Sequence, residues 1–187
     1  MFIARRLQRK LRKTVNVLTG INAAVGRFVA WFMPLMTAAV LAIVVFASVF
    51  RLGWVWFGEL VAYMHAIVFT AAAAYTLGCD EHVRIDVWYG RMSVRGRAVV
   101  NLLGVLFLLM PVCGVILFYS YPYVRDSWAV REYSPEGAGL PAVFILKSFI
   151  LIMPVLLLMQ GMAMVIDACL VLFGEKEGNE GEEEKRQ

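Results

Sequence analysis

The chain has 187 residues, of which 61% are hydrophobic and only 17% charged, and its formal net charge is +4. Soluble domains are about half apolar and about a quarter charged, so this composition indicates one integral membrane domain rather than a soluble enzyme. The basic residues cluster beside apolar stretches, which favours lipid over nucleic acid as the partner of the positive charge. Cys79, Cys113 and Cys169 are odd in number and form no CxxC pair, so we interpret them as reduced packing residues.

Residues 1–27 form a basic segment with helical periodicity. Apolar side chains recur every three or four positions from Ile3 to Val25, whereas most arginines and lysines occupy the other positions. This pattern is typical of a helix that lies in the headgroup region of a bilayer. The sequence therefore predicts an N-terminal amphipathic interfacial helix in contact with membrane lipids.

Four long apolar stretches fill most of residues 28–173, namely 28–50, 60–78, 99–121 and 143–173. Each approaches or exceeds the roughly 20 residues that a helix needs to cross the hydrocarbon core. The predicted fold is therefore an all-α integral membrane protein with four transmembrane helices, the last interrupted by Pro154, which should kink it. Residues 174–187 are rich in glycine and glutamate without apolar periodicity, so we expect a disordered acidic tail.

Lysine and arginine are distributed unevenly between the connections. With the amino terminus inside, the outer side holds only Arg51, Arg125 and Arg131, whereas all other basic residues except Lys147, which lies within a span, fall on the cytoplasmic side. Basic residues near spans resist translocation, so both termini are expected in the cytoplasm.

The connection between spans two and three combines alternating charges with apolar residues. Cys79, His82 and Asp86 suggest a metal site, but the set is incomplete and its spacing matches no common zinc site. The pattern instead predicts a short arm at the cytoplasmic surface that is held by ion pairs. Ser93 is then the expected N-cap of the helix that continues into span three.

Polar groups at membrane depth are costly, so each needs a partner. Glu59, at the outer start of span two, is interpreted as a helix-end charge or partner contact, with an ion or proton site as the alternative. His65 is expected in an interhelical hydrogen bond rather than as a haem ligand, because haem would need paired axial histidines. Lys147 should extend toward the membrane surface, and Gln160 should hydrogen-bond between helices. Asp167 needs a basic partner, which the arginine-rich connection offers.

The four-span layout and three motifs resemble the small membrane subunit, the Q or DctQ type, of tripartite ATP-independent periplasmic (TRAP) transporters. The motifs are Glu59-Leu-x-x-Tyr63, the loop His82-Val-Arg84-Ile-Asp86-x-x-Tyr89-x-Arg91-x-Ser93-x-Arg95-x-Arg97, and the run Ser134…Leu140-Pro141…Lys147…Pro154…Leu158-x-Gln160. The similarity covers nearly all of residues 28–173, and the loop is its most specific part.

This resemblance implies a scaffold subunit of the bacterial inner membrane. Its partners would be a large multi-span subunit (M type), which carries the substrate and sodium sites, and a periplasmic substrate-binding protein that delivers a carboxylate-bearing solute. Structural or partner-interface roles are expected for Glu59, Tyr63, His82, Arg84, Asp86, Arg91, Lys147 and Gln160. The outer loop combines mixed charges with an aromatic side chain, so the candidate docking residues for the binding protein are Arg125, Trp128, Arg131 and Glu132.

The competing hypotheses are an autonomous small four-helix ion- or proton-coupled transporter that uses Glu59, and a membrane enzyme. Autonomous secondary transporters usually show paired halves with broken helices, which this sequence lacks. It also has no Walker motif, no CxxC pair and no nucleophile–base constellation. We therefore expect no catalytic residue, no cofactor, no metal and no nucleic-acid partner.

Overall fold

The computed structural model describes the backbone of residues 2–79 and 91–183 and the side chains of residue 6 and of residues 8–79 and 91–173. Within these ranges the chain is helical and contains no strand. The helices are α1 (Phe2–Ala30), α2 (Phe32–Val49), α3 (Val55–Gly78), α4 (Val94–Gly104), α5 (Met110–Val130) and α6 (Val143–Glu183), with a π-helical segment over Val105–Leu109 between α4 and α5.

Four stretches of the described residues are helical, long and apolar enough to cross a bilayer. They are Gln8–Val49, Val55–Gly78, Val94–Val130 and Val143–Phe173. The sequence-based prediction of an all-α membrane protein with four spanning helices is confirmed. One end of the bundle, the Glu59 end, carries the 50–54 and 131–142 connections, and at the opposite end, the Gly78 end, α3 ends and α4 begins.

Helix α1 follows the amphipathic pattern read from the sequence, and its second half packs against α3 and α6. Asn22 and Val29 on this half are 2% and 4% exposed. Val29 joins Ala71 and Leu156 in a buried apolar cluster. The apolar stripe of α1 therefore faces protein along its second half, while the interfacial position of its first half stays a prediction.

Glycine allows the closest of these helix contacts. A Cβ atom on Gly26 of α1 would lie 2.6 Å from the Cβ of Tyr75 in α3, and one on Gly161 of α6 would lie 2.7 Å from Leu109 in the π-helical segment. Both separations are too short for real Cβ contacts, so these helices approach only because glycine has no side chain.

The third span begins as the sequence predicts. Ser93 is the N-cap of α4, and its Oγ accepts a hydrogen bond of 3.2 Å from the Gly96 N–H. The span ends at Arg131, which has a φ of 46° and closes α5 in the left-handed conformation.

Helix α6 is the longest element and crosses Pro154, which is fully buried, without ending there. Its backbone remains helical beyond Phe173 as far as Glu183, whereas the sequence predicts disorder from residue 174. Residues 184–187, the end of the predicted tail, lie outside the described residues.

Candidate functional site

Glu59 organises the loop at the Glu59 end of the bundle. It lies in the second turn of α3, where its Oε2 accepts a 2.6 Å hydrogen bond from the Leu140 N–H and its Oε1 accepts one from the Ser134 hydroxyl. The loop also closes on itself, because the Ser134 N–H donates to the Leu140 carbonyl at 3.3 Å. Both carboxylate oxygens of Glu59 are thus engaged in holding residues 134–140 over the end of α3.

Gly139 permits this closure. A Cβ atom at this position would lie 2.6 Å from Glu59 Oε1 and would also overlap the Ser134 side chain. Any larger residue would therefore push the loop away from the carboxylate.

Lys147 forms the second polar contact at this end. Its Nζ donates to the Glu132 carboxylate and lies 4.0 Å from the centroid of the Tyr123 ring. The hydrogen bond from Lys147 is the main reason that the pKa of Glu132 is lowered from its ordinary value. Only 14% of the Lys147 side chain is exposed. The sequence predicts that Lys147 extends to the membrane surface, where water would hydrate it, but the ion pair with Glu132 takes the place of that hydration.

Trp128 attaches the end of α5 to the start of α6. Its indole N–H donates to Ser148 Oγ at 2.8 Å, and its ring meets the Phe144 ring edge-on with 4.8 Å between centroids. Half of the Trp128 side chain nevertheless remains exposed. Its indole can therefore hold the helices together and still meet a partner.

The other candidate docking residues differ in whether they are exposed or paired with Lys147. Arg125 is exposed and pairs with its neighbour Asp126 at 2.9 Å, and Arg131 is exposed at the left-handed end of α5. Glu132, by contrast, forms an ion pair with Lys147 and is only partly exposed. A docking role for these residues stays a prediction.

Tyr63 lies one helical turn beyond Glu59. Its hydroxyl group is buried and makes no hydrogen bond within the described part of the chain. Buried polar groups are nearly always paired. The Tyr63 hydroxyl is therefore an unsatisfied member of the polar cluster at the Glu59 end.

A second polar contact lies near the Gly78 end. Asn22 of α1 donates through Nδ2 to Gln160 Oε1 at 3.0 Å and to the Leu156 carbonyl at 3.3 Å. The interhelical hydrogen bond predicted for Gln160 is thus present. A Cβ atom on Gly78 would lie 2.9 Å from Gln160 Nε2, so Gly78 makes room for the amide. Asn22 was missed by the sequence analysis, although an amide on the apolar face of an amphipathic helix is a usable signal.

The structure describes only part of the predicted cytoplasmic arm. His82, Arg84 and Asp86 lie outside the described residues, and Arg91 is exposed in the turn before α4. Nearby, Arg97 and Asp167 line the same cleft of about 290 Å³ between α4 and α6. Arg97 Nε also donates to the Met92 carbonyl at 3.2 Å.

No hydrogen bond joins His65 to another helix within the described residues, and the interhelical hydrogen bond expected for it stays a prediction. His65 is exposed in a groove between α2 and α3, where its neighbours Met36 and Val40 are apolar. The hydroxyl of Thr37 in the same groove donates to the Met33 carbonyl at 3.0 Å instead. The Thr37 hydroxyl therefore has no proton left to donate to the imidazole.

These side chains form pairs and caps rather than a reaction centre. Among the described residues, no three His, Cys, Asp or Glu side chains come together as a metal-binding group. The charged and amide groups at both ends of the bundle instead join segments that are distant in sequence. The arrangement is that of a framework held at both ends.

Comparison with known families matches residues 36–170 to the family described as tripartite ATP-independent periplasmic transporters, DctQ component. The match begins in α2 and extends into α6, so it includes every contact of the Glu59 end. The family is one of transporter subunits and not of enzymes. No curated protein and no solved structure matches the chain significantly. The match covers most of the chain and agrees with the resemblance seen in its motifs, and the chain belongs to the DctQ family of small membrane subunits of TRAP transporters.

Proposed function

We propose that this TRAP small subunit is a scaffold that supports the large membrane subunit during ion-gradient-driven, binding-protein-dependent uptake of a carboxylate-bearing solute. The observation that carries the proposal is the pair of hydrogen bonds that Glu59 accepts. Both of its oxygens accept hydrogen bonds from the 134–140 loop. A coupling carboxylate must exchange its ion or proton during each cycle, whereas Glu59 is committed to structure.

The remaining polar contacts support the same proposal. Asn22 and Gln160 join helices that lie 138 positions apart in sequence, and Glu132 with Lys147 joins the 131–142 connection to α6. Such ties favour a fixed bundle over one that opens and closes around a solute. A fixed bundle is what a large moving subunit needs as a counterpart.

We place the protein in the bacterial inner membrane with both termini in the cytoplasm and the Glu59 end toward the periplasm. The distribution of lysine and arginine supports this orientation. The exposed indoles of Trp54, Trp56 and Trp128 lie at the Glu59 end, where aromatic side chains favour the membrane interface.

A cysteine introduced at Glu136 tests the orientation. It should react with an impermeant maleimide added to intact spheroplasts. Reaction only after the membrane is permeabilised would reverse the proposed topology.

The exposed Arg125, Trp128 and Arg131 are proposed to meet the periplasmic binding protein. At the other end, His82, Arg84, Asp86 and Arg91 are proposed to contact the large subunit or to position the arm for it. Asp86→Arg should then lower the yield of the assembled complex. An unchanged yield with abolished uptake would instead indicate a direct role of the arm in transport.

Reconstitution into liposomes tests the main proposal. The purified chain should show no solute uptake under a sodium gradient, and uptake should begin when the large subunit and the loaded binding protein are added. Uptake by the single chain that is lost in Glu59→Gln would overturn the scaffold and favour an autonomous transporter.

A further inference from the structure

We propose that the groove between α2 and α3 receives a transmembrane helix of the large subunit, and that this helix hydrogen-bonds to His65. The inference rests on the proposed function, because it assumes that a large subunit is bound. It adds the face of the bundle that makes the contact and the side chain that selects the occupant.

The groove runs along about one turn of α2 and about two turns of α3. It has a volume of about 600 Å³ and is lined by Met36, Thr37 and Val40 of α2 and by Gly58, Ala62 and His65 of α3. Gly58 and Ala62 have the smallest side chains in the α3 wall, which lets a third backbone approach closely.

Helix α2 lacks the packing that the other spans have. None of its residues is buried, and its main contact in the described chain is with α3. Leu41 remains 65% exposed, whereas Ala71 and Ala74 of α3 are buried against α1 and α6. One side of α3 is therefore covered, and the side that bears the groove is not.

The side chain of His65 indicates what kind of molecule covers the groove. The residue is ten positions from the start of α3 at Val55, or about 15 Å along the helix axis, which places it near the middle of the span. It is exposed and has no hydrogen-bond partner in the described part of the chain. An imidazole at this depth needs a partner with a donor or an acceptor.

The three available occupants differ in how well they meet this need. Lipid acyl chains offer neither donor nor acceptor. At the depth of the groove, a second copy offers through α2 only the Thr37 hydroxyl, which donates its proton to the Met33 carbonyl and could only accept, whereas the exposed Ser48 lies near the other end of α2 at Val49. The large subunit is a partner that the family implies, and a helix that carries a polar side chain fits the groove.

Photo-crosslinking in the complete complex tests this assignment. Benzoylphenylalanine replaces Val40 in the groove and, as the matched control, Val115 of α5, which are 45% and 55% exposed. Irradiation of native membranes should join the Val40 variant to the large subunit and should leave the Val115 variant unjoined. Equal adducts at both positions, an adduct with a second copy, or no protein adduct at Val40 would overturn the assignment.

Substitution of His65 supplies the second measurement. His65→Leu should lower the amount of large subunit that copurifies at least severalfold, and His65→Asn, which keeps donor and acceptor groups, should restore most of it. Equal yields for His65→Leu and wild type would overturn the role of the imidazole.

If the wild-type chain itself captures no large subunit, the proposed function fails. If it does so without a Val40 adduct, only the groove assignment fails.

Discussion

Asn22 and Gln160 are joined by a 3.0 Å hydrogen bond between the Asn22 amide nitrogen and the Gln160 amide oxygen, although 138 positions separate them. The bond fixes the register of α1 against α6, and the Asn22 side chain is almost fully buried. It therefore makes α1 part of the bundle rather than only a surface helix.

Removal of either amide should destabilise the bundle. Asn22→Leu and Gln160→Leu should each lower the free energy of unfolding by about 1–3 kcal/mol, because the remaining amide loses its partner in a buried position. In a double-mutant cycle the coupling energy should be about 0.6–1.7 kcal/mol, as for other interhelical hydrogen bonds in membranes. Reversible unfolding in mixed micelles measures both. The control is Thr37→Val, whose hydroxyl bonds only within its own helix. A coupling energy of zero would show that the two amides act independently.

The close approach of α1 to α3 gives a prediction with a control on the same helix. Gly26→Ala should destabilise the protein by about 1–3 kcal/mol, because the added methyl group overlaps the Tyr75 ring. Gly20→Ala meets no atom within 4 Å and should instead stabilise the helix by about 0.5–1 kcal/mol. Thermal unfolding of the two variants should give shifts of opposite sign. Shifts of the same sign would contradict the packing of α1 on α3.

The fold was largely predictable because apolar length alone identifies membrane-spanning helices. Gln160 and Ser93 were also interpreted correctly, since an amide in a span needs a partner and a serine before a helix caps it. The partner of Gln160 was not predictable. Amphipathic periodicity marks the apolar face of α1 but does not distinguish lipid from protein as its neighbour.

The contacts of Glu59 were missed for a different reason. Its partners Ser134 and Leu140 follow it by 75 and 81 positions, and one of them is a backbone N–H that any residue except proline provides. His65 shows the converse limit, because a polar residue in a span signals the need for a partner but not the chain that supplies it.

The Glu132–Lys147 pair predicts a pH dependence. The pKa of Glu132 is lowered in the fold, mainly by the Lys147 hydrogen bond, so ionised Glu132 stabilises the folded state at neutral pH. This stabilisation is present above the ordinary pKa of glutamate, about 4.3, and is lost as the pH falls through the lower pKa of the fold. Unfolding should therefore show a steeper loss of stability on acidification in the wild type than in Glu132→Gln. The exposed Glu136→Gln serves as the control. Identical slopes for wild type and Glu132→Gln would contradict the pairing.

Arg131 has a φ of 46°, a conformation that favours glycine over other residues. Arg131→Gly should keep or raise stability by up to about 1 kcal/mol because it removes backbone strain. If Arg131 meets the binding protein, the same variant should slow association, and the difference from wild type should shrink at high salt. Arg51→Gly, with a φ of 56°, provides the same backbone relief in another loop. Stopped-flow association with the loaded binding protein compares the two, and equal rates for Arg131→Gly and wild type would remove Arg131 from the docking surface.

Variants of Glu59 and of the 134–140 loop distinguish a structural role of the Glu59 carboxylate from a role in ion coupling. Gly139→Ala should place a methyl group against Glu59 Oε1 and release the 134–140 loop, whereas Gly137→Ala, which meets no atom within 4 Å, should leave it closed. Limited proteolysis in detergent should then cleave only the Gly139→Ala variant faster.

In the reconstituted complex, Glu59→Gln retains one acceptor oxygen for the Leu140 N–H and should keep most of the uptake. Gly139→Ala should lower uptake although its carboxylate is intact. The opposite order, with Glu59→Gln inactive and Gly139→Ala active, would mean that the charge of Glu59 and not its loop contact serves transport.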